Sequence, residues 1–165
     1  MTEHRVAIRP AESRDAEAIA EIWHLGWHDA HDGHVPPELV EIRTEASFFD
    51  RAPRRIADTT VATVDGDVAG FVMVVDDEVE QVFVSAAARG TGVADRLMHE
   101  AERQVRENGH AKAWLAVVAG NARARRFYER AGWVDEGSFD YAAAVDAASE
   151  TETIAVPCRR YTKAL

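Results

Sequence analysis

The 165 residues predict a mixed α/β (α+β) fold, with a central sheet of six or seven strands, antiparallel in its N-terminal part, and about four helices on both faces. Three observations carry that expectation. Strand-type and helix-type hydrophobic periodicity alternate along the chain, with no low-complexity linker and no internal repeat. Asp65-Gly66-Asp67 and Asp76-Asp77 each join two β-type runs as a tight turn, which makes a meander. A long amphipathic stretch, residues 92–108, then separates two strand signals at the length a parallel crossover needs.

Each element follows from its own residues. Residues 6–9 form a short β-type run. Pro10 turns the chain and Ser13 serves as N-cap, with Asp15 and Glu17 in the first turn, where the helix dipole favours negative charge. Ala18, Ile19, Ile22, Trp23 and Trp27 follow at helical spacing. A second, broken helical region covers 37–55, with Pro53 marking its end. Strands at 59–64, 68–75 and 79–84 make the meander. In the 92–108 helix Val93, Leu97, Met98, Ala101 and Val105 share a face, and Asn108-Gly109 stops it. Residues 112–118, nearly all apolar around Trp114, read as a buried central strand. A short helix at 121–131 ends at Gly132, and strands at 133–139 and about 151–161 close the chain as a hairpin.

Composition bounds the function. The length suits one domain, 1–165, and 47% hydrophobic residues can fill its core. A formal charge of −10 excludes a general nucleic-acid or membrane-surface binder, so any anionic ligand must be held by a local feature. That feature has an electrostatic signature. Between Arg89 and Arg130 nine Lys and Arg face five Asp and Glu, a local +4, and the rest of the chain carries −14. The lone Cys158 has no disulfide partner and reads as a small strand residue rather than a nucleophile. The first ten residues lack the apolar core of a signal peptide, and no apolar stretch approaches the roughly 20 residues of a membrane span. The expected compartment is the cytoplasm.

The most informative stretch runs from Val82 through Phe83, Val84 and Ser85 to Arg89-Gly90-Thr91-Gly92-Val93-Ala94-Asp95. A strand leads into a small-residue loop with two glycines and an arginine, then into the first turn of a long helix. Unpaired amides and the positive end of the dipole at such a turn make a phosphate cradle. A dinucleotide fingerprint fails because Asp95 stands where its third glycine belongs, and no Gly-Lys-Ser/Thr follows for a Walker loop.

Arg89-Gly90-Thr91-Gly92-Val93-Ala94 resembles the pyrophosphate loop of the GNAT superfamily of acetyl-CoA-dependent N-acetyltransferases. The stretch from Asn121 through Ala124 and Tyr128 to Gly132-Trp133 resembles that superfamily's second cofactor motif, about 30 residues downstream, and the order of elements matches its fold. The resemblance implies parallel strands splitting around a cofactor slot at Val84 and Val118. It also implies that the backbone of Val82, Phe83 and Val84 pairs with the pantetheine arm and that amides from Gly90 through Thr91, Gly92, Val93 and Ala94 to Asp95 hold the pyrophosphate. Arg89 and Arg126 join the cofactor contacts, Asn121 hydrogen-bonds the pantetheine region, and Tyr128 stands near the thioester sulfur. The implied reaction is direct attack of a primary amine in a ternary complex, with Tyr128 as acid, a backbone amide near Val84 as oxyanion donor, and no metal. A non-catalytic acyl-CoA-binding or regulatory module on the same fold remains the alternative.

The base is open at this stage. Where many family members carry a carboxylate on the central strand, this chain has Ala116. Glu78 and Glu80 are the candidates, because strict period-2 alternation puts them on one side with Val82 and Val84. On the acceptor side, Trp23, Trp27 and His28 are expected to wall the pocket. His24, His28, His31 and His34 match no familiar metal spacing. Asp29, Asp32, Glu38, Glu41, Glu45, Asp76 and Asp77 are expected around the pocket and favour a small cationic amine. In resembling proteins the last two strands form homodimer contacts.

Overall fold

The computed structural model describes residues 4–146 and 151–165. Seven strands, β1 (Val6–Pro10), β2 (Thr59–Val64), β3 (Asp67–Val75), β4 (Glu78–Val84), β5 (Lys112–Val118), β6 (Val134–Ala144) and β7 (Thr153–Ala164), form one sheet in the order β1-β2-β3-β4-β5-β7-β6. All pairings are antiparallel except that of β4 with β5. The helices are α1 (Ala16–His31), α2 (Pro37–Ile42), α3 (Glu45–Arg54), α4 (Val93–Glu107) and α5 (Ala122–Arg130). The mixed sheet is the expected one, with the 37–55 region divided into two helices.

Two cores sit on the two faces. Leu97, Met98, Ala101 and Val105 of α4, with Phe127 and Tyr128 of α5, pack over Val72, Val79 and Leu115. Ile19, Trp23 and Trp27 of α1 and Phe48 of α3 cover Val61, Phe71 and Met73 on the other face. Burying each of these large apolar side chains stabilises the fold by about 1.5–3 kcal/mol. No helix among the described residues is long and apolar enough to cross a membrane.

Several local expectations are corrected. Glu12, not Ser13, occupies the cap position before the first helical turn: its amide donates to Asp15 Oδ2 at 2.7 Å, and Arg9 grips the same carboxylate at 2.7 and 2.9 Å. Pro53 lies inside the last turn of α3, which ends at Arg54. β6 continues to Ala144 because it keeps a partner in β7 over that length. Gly26 lies within α1. Its missing side chain admits the ring of Phe83, which a Cβ there would meet at 2.5 Å.

The feature that positions the site is a divergence. β4 and β5 share a single registered pair, Glu78 with Trp114, while β3 and β7 hold their outer edges. Past that pair the inner edges separate and leave a slot between the ends at Val84 and Val118.

Candidate active site

At the open end of the slot the chain passes from β4 through a 3-10 turn (Ala86–Ala88) and Arg89-Gly90-Thr91-Gly92 into α4. Gly90 and Gly92 have φ of 79° and 83°, a left-handed backbone that side chains oppose, and nothing lies within 4 Å of where a Cβ would stand. Gly92 caps α4, so the amides of Val93, Ala94 and Asp95 have no carbonyl one turn back to bond. These donors sit at the positive end of a 15-residue helix and suit an anion. The Thr91 hydroxyl is turned away from them, onto the Ala88 carbonyl. Arg126 is exposed on α5. Arg89 is held sideways: it donates to Asp29 Oδ2 on α1 at 3.2 Å, and Arg123 donates to the same oxygen at 3.0 Å.

Behind the loop, a cavity of about 750 Å³ follows the slot inward. Val82, Phe83, Val118, Asn121 and Tyr128 line its near part, and Glu78, Glu80, Tyr141 and arginines of α3 and of the residues that end α2 and α3 line its far part. Asn121 also caps α5, its Oδ1 accepting the Ala124 amide at 3.2 Å. The Tyr128 ring packs against Phe127, Trp133 and Tyr161, and burial pushes its hydroxyl up to about 12, so it stays protonated at neutral pH. The backbone edge of β4 beyond Glu78 faces the slot without a strand partner.

The two glutamates differ. The register of β3 against β4 steps from Met73↔Gln81 to Val74↔Val79, which leaves Glu80 as the extra residue of a bulge. This corrects the alternation: Val79 joins Val82 and Val84 over the α4 side, and the glutamates turn toward α3 and β6. Glu80 is gripped by Arg55 at 2.7 and 3.1 Å. Glu78 accepts one bond from the Tyr141 hydroxyl, at 2.8 Å, and burial pushes it up to about 7 despite that bond. A carboxylate poised near neutral pH in a cavity is suited to exchange a proton.

On the acceptor side the structure divides the expected wall. Trp27 and His31 line the cavity, stacked with centres 4.4 Å apart. Trp23 is 0% exposed, packed edge-on against Phe48 and Phe71, and reaches no ligand space. His28 points the other way, bonded to Asp32 and to the Arg43 carbonyl at 2.8 and 2.6 Å. Of the seven acids expected around the pocket, none lines this cavity; its acids are Asp58, Glu78, Glu80 and Asp146. His24 and His28 meet edge to face at 5.2 Å, and among the described residues no three His, Cys, Asp or Glu side chains form a metal-holding group. Cys158 is buried on β7, and burial pushes its thiol up to about 11, which disfavours the nucleophilic thiolate at neutral pH.

Sequence reasoning missed Tyr141, Arg43, Arg51 and Arg55. Tyr141 was within reach, since the alternation of Phe139 and Tyr141 continues the strand past residue 139. The arginines carry no such signal, because their burial depends on how α2 and α3 fold back over β4.

Comparison with known proteins follows the same lines. A family model described as the acetyltransferase (GNAT) family matches residues 15–133. Uncharacterized N-acetyltransferases of Mycobacterium bovis and Mycobacterium tuberculosis are each 33% identical over 91 residues, 52% of this chain and 57% of theirs. The chain thus spans little more than half the length of these curated relatives. A GCN5-related N-acetyltransferase from Rhodopseudomonas palustris has a TM-score of 0.73 at 20% identity, covering 100% of this chain and 99% of that one. The PaiA N-acetyltransferase from Thermoplasma acidophilum, in complex with coenzyme A, has a TM-score of 0.66 at 16% identity, with 98% and 99% covered. YncA from Salmonella typhimurium with its cofactor acetyl-CoA gives 0.69 at 17% identity, with 98% and 94% covered. At these identities the structural likeness is one of fold.

Proposed function

Because the chain belongs to the GNAT acetyltransferase family, we propose that it transfers an acetyl group from acetyl-CoA to a primary amine by direct attack in a ternary complex. The observation that carries this reading is the single cavity that joins Glu78, near neutral in its titration, to Tyr128, which holds its proton.

The residues present fit the donor. Amides of Gly90 and Gly92 to Asp95 would hold the pyrophosphate, in a loop whose glycines leave the approach open. The free edge of β4 from Val82 to Val84 would pair with the pantetheine arm, and Asn121 and Arg126 would add side-chain contacts. Bound acetyl-CoA supplies an activated acetyl thioester and a thiolate leaving group.

The chain's own groups then move the protons. Glu78 takes one from the acceptor ammonium, directly or through water, and leaves the nitrogen lone pair free to form the new N–C bond. A β4 amide near Val84 donates to the negative charge that develops on the carbonyl oxygen. Tyr128 gives its proton to the sulfur as the C–S bond breaks, and the second proton that the nitrogen sheds on becoming an amide returns, through water, to the Tyr128 phenolate. Glu80 has a different part: its ion pair with Arg55 holds it beside Glu78, where its charge helps raise the Glu78 titration.

Thiol release from acetyl-CoA over a panel of primary amines tests the reading. Turnover is expected, and Tyr128→Phe should lower kcat by about 10²-fold while acetyl-CoA affinity stays unchanged. Acetyl-CoA binding without turnover of any amine would favour the non-catalytic module, and equal kcat in the variant would remove Tyr128 as the acid.

A further inference from the structure

Four arginines, Arg43, Arg51, Arg54 and Arg55, stand on the inner wall of the cavity, and their partners differ. Arg55 is satisfied by Glu80 and by Asp58 at 3.3 Å. Arg54 is exposed, 3.6 Å from Asp50. Arg51 has neither a hydrogen bond nor a carboxylate partner among the described residues. Its guanidinium lies 4.5 Å from the Trp23 ring centre and 5.8 Å from that of Phe48, with Nη1 buried and unbonded. Arg43 donates to the Ala144 carbonyl and stands 5.9 Å over the Trp27 ring, but its Nε is also buried and unbonded.

A guanidinium taken out of water is ordinarily paired, because desolvation without a counter-charge is costly. Aromatic faces return part of that cost and bond none of the five donors. Burial, with Arg43 and Arg55 close by, makes the Arg51 charge harder to hold, and the Glu80 carboxylate, bonded to Arg55, offsets only part of that. The planar fork of arginine matches an oxyanion with two parallel bonds, and a cavity of about 750 Å³ leaves room for one beside it. The same wall offers Glu78 to an ammonium. A pocket with a proton-accepting carboxylate and an unpaired guanidinium complements a zwitterion better than a polycation.

We propose that the acceptor is a small amine that also carries an oxyanion, a carboxylate or a phosphate, held by Arg51 with Arg43 beside it while the amine faces Glu78. This rests on the amine-acetylation reading of the same cavity and narrows its substrate class.

Matched pairs test it: lysine against cadaverine, phenylalanine against phenethylamine, and phosphoethanolamine against ethanolamine. Two quantities are read, kcat/KM with acetyl-CoA and the melting-temperature shift of the CoA-saturated protein. The oxyanion member should win by about tenfold or more, and which pairs respond separates carboxylate from phosphate. Arg51→Met, which keeps an unbranched chain over Trp23, should erase the ratio, and Arg51→Lys should keep part of it. Plain amines that match or beat their acids, a ratio unchanged in Arg51→Met, or no melting shift from any oxyanion amine would each overturn the proposal. Failure of the transfer reading looks different: oxyanion amines would still raise the melting temperature through Arg51, with no thiol released.

Discussion

The two ends of the cavity are built by different means. The end proposed for the donor is made of backbone: two left-handed glycines, the unpaired amides that open α4, and one strand edge, all within residues 82–95. The end proposed for the acceptor is made of side chains from α1, α2, α3, β4 and β6, brought together over as many as 101 positions in the Arg43–Ala144 contact. Backbone donors do not titrate, and the groups at the acceptor end do. Chemistry and pH response should therefore concentrate at one end, and tolerance to pH at the other.

The largest expected effect tests that division at Glu78. Glu78→Gln should lower kcat by about 10²- to 10⁴-fold and leave acetyl-CoA affinity unchanged, and the rise of wild-type kcat/KM through about pH 7 should vanish. Stability should move oppositely. The folded-state titration lies above the ordinary carboxylate value, so ionising Glu78 costs stability as pH rises through about 7, and the variant should melt higher than wild type at pH 8. Activity within threefold of wild type would take the base away from this end.

His31 gives the next effect, in stability. Burial pushes it down to about 4 against an ordinary 6.5, while its Nδ1 donates to the Trp27 carbonyl at 2.7 Å. Between those values the unfolded chain binds a proton that the folded one refuses, so the contribution is full above pH 6.5 and is lost as pH falls toward 4. His31→Phe keeps the stack on Trp27 and should flatten that acid flank of the melting curve by up to about 3 kcal/mol. An unchanged flank would mean that other groups govern acid unfolding.

At the donor end the expected effect is smaller and confined to affinity. Gly92→Val forces a β-branched residue to φ 83°, a strain of about 1–3 kcal/mol. Acetyl-CoA should bind about tenfold or more weakly, with the pH profile intact; a shifted profile would blur the division.

The same contrast explains what could be read before the structure. The glycine loop is contiguous, and its glycine spacing and helix start lie within one short stretch, so its conformation was legible. So was the sheet, because period-2 runs and turn residues are local signals. The side of Glu78 and Glu80 was not, since one bulge at Glu80 shifts the alternation and only pairing with β3 reveals it. Trp23 and Trp27 share a helical stripe, yet one is core and the other cavity wall, a difference set by where Phe48 and Phe71 pack. Arg51 is indistinguishable by sequence from the exposed Arg54 three residues on.

One contact ties the two ends together, and it carries the smallest prediction. Asp29 of α1 holds Arg89 beside the donor loop and Arg123 at the start of α5, through a single carboxylate oxygen. All three side chains are largely exposed, so the pairs are worth at most about 1 kcal/mol and should not strain the fold when broken. On the proposed donor reading, an arriving pyrophosphate would compete with that oxygen for both guanidinium groups. Asp29→Asn, which keeps the shape and removes the charge, should therefore tighten acetyl-CoA binding severalfold at low salt, and the gain should shrink as salt screens the competition. The melting temperature of the free protein should move by no more than a few degrees. Weaker binding in Asp29→Asn would mean that Asp29 orients the two arginines for the phosphates rather than competing with them, and the acceptor helix would then be a working part of the donor site.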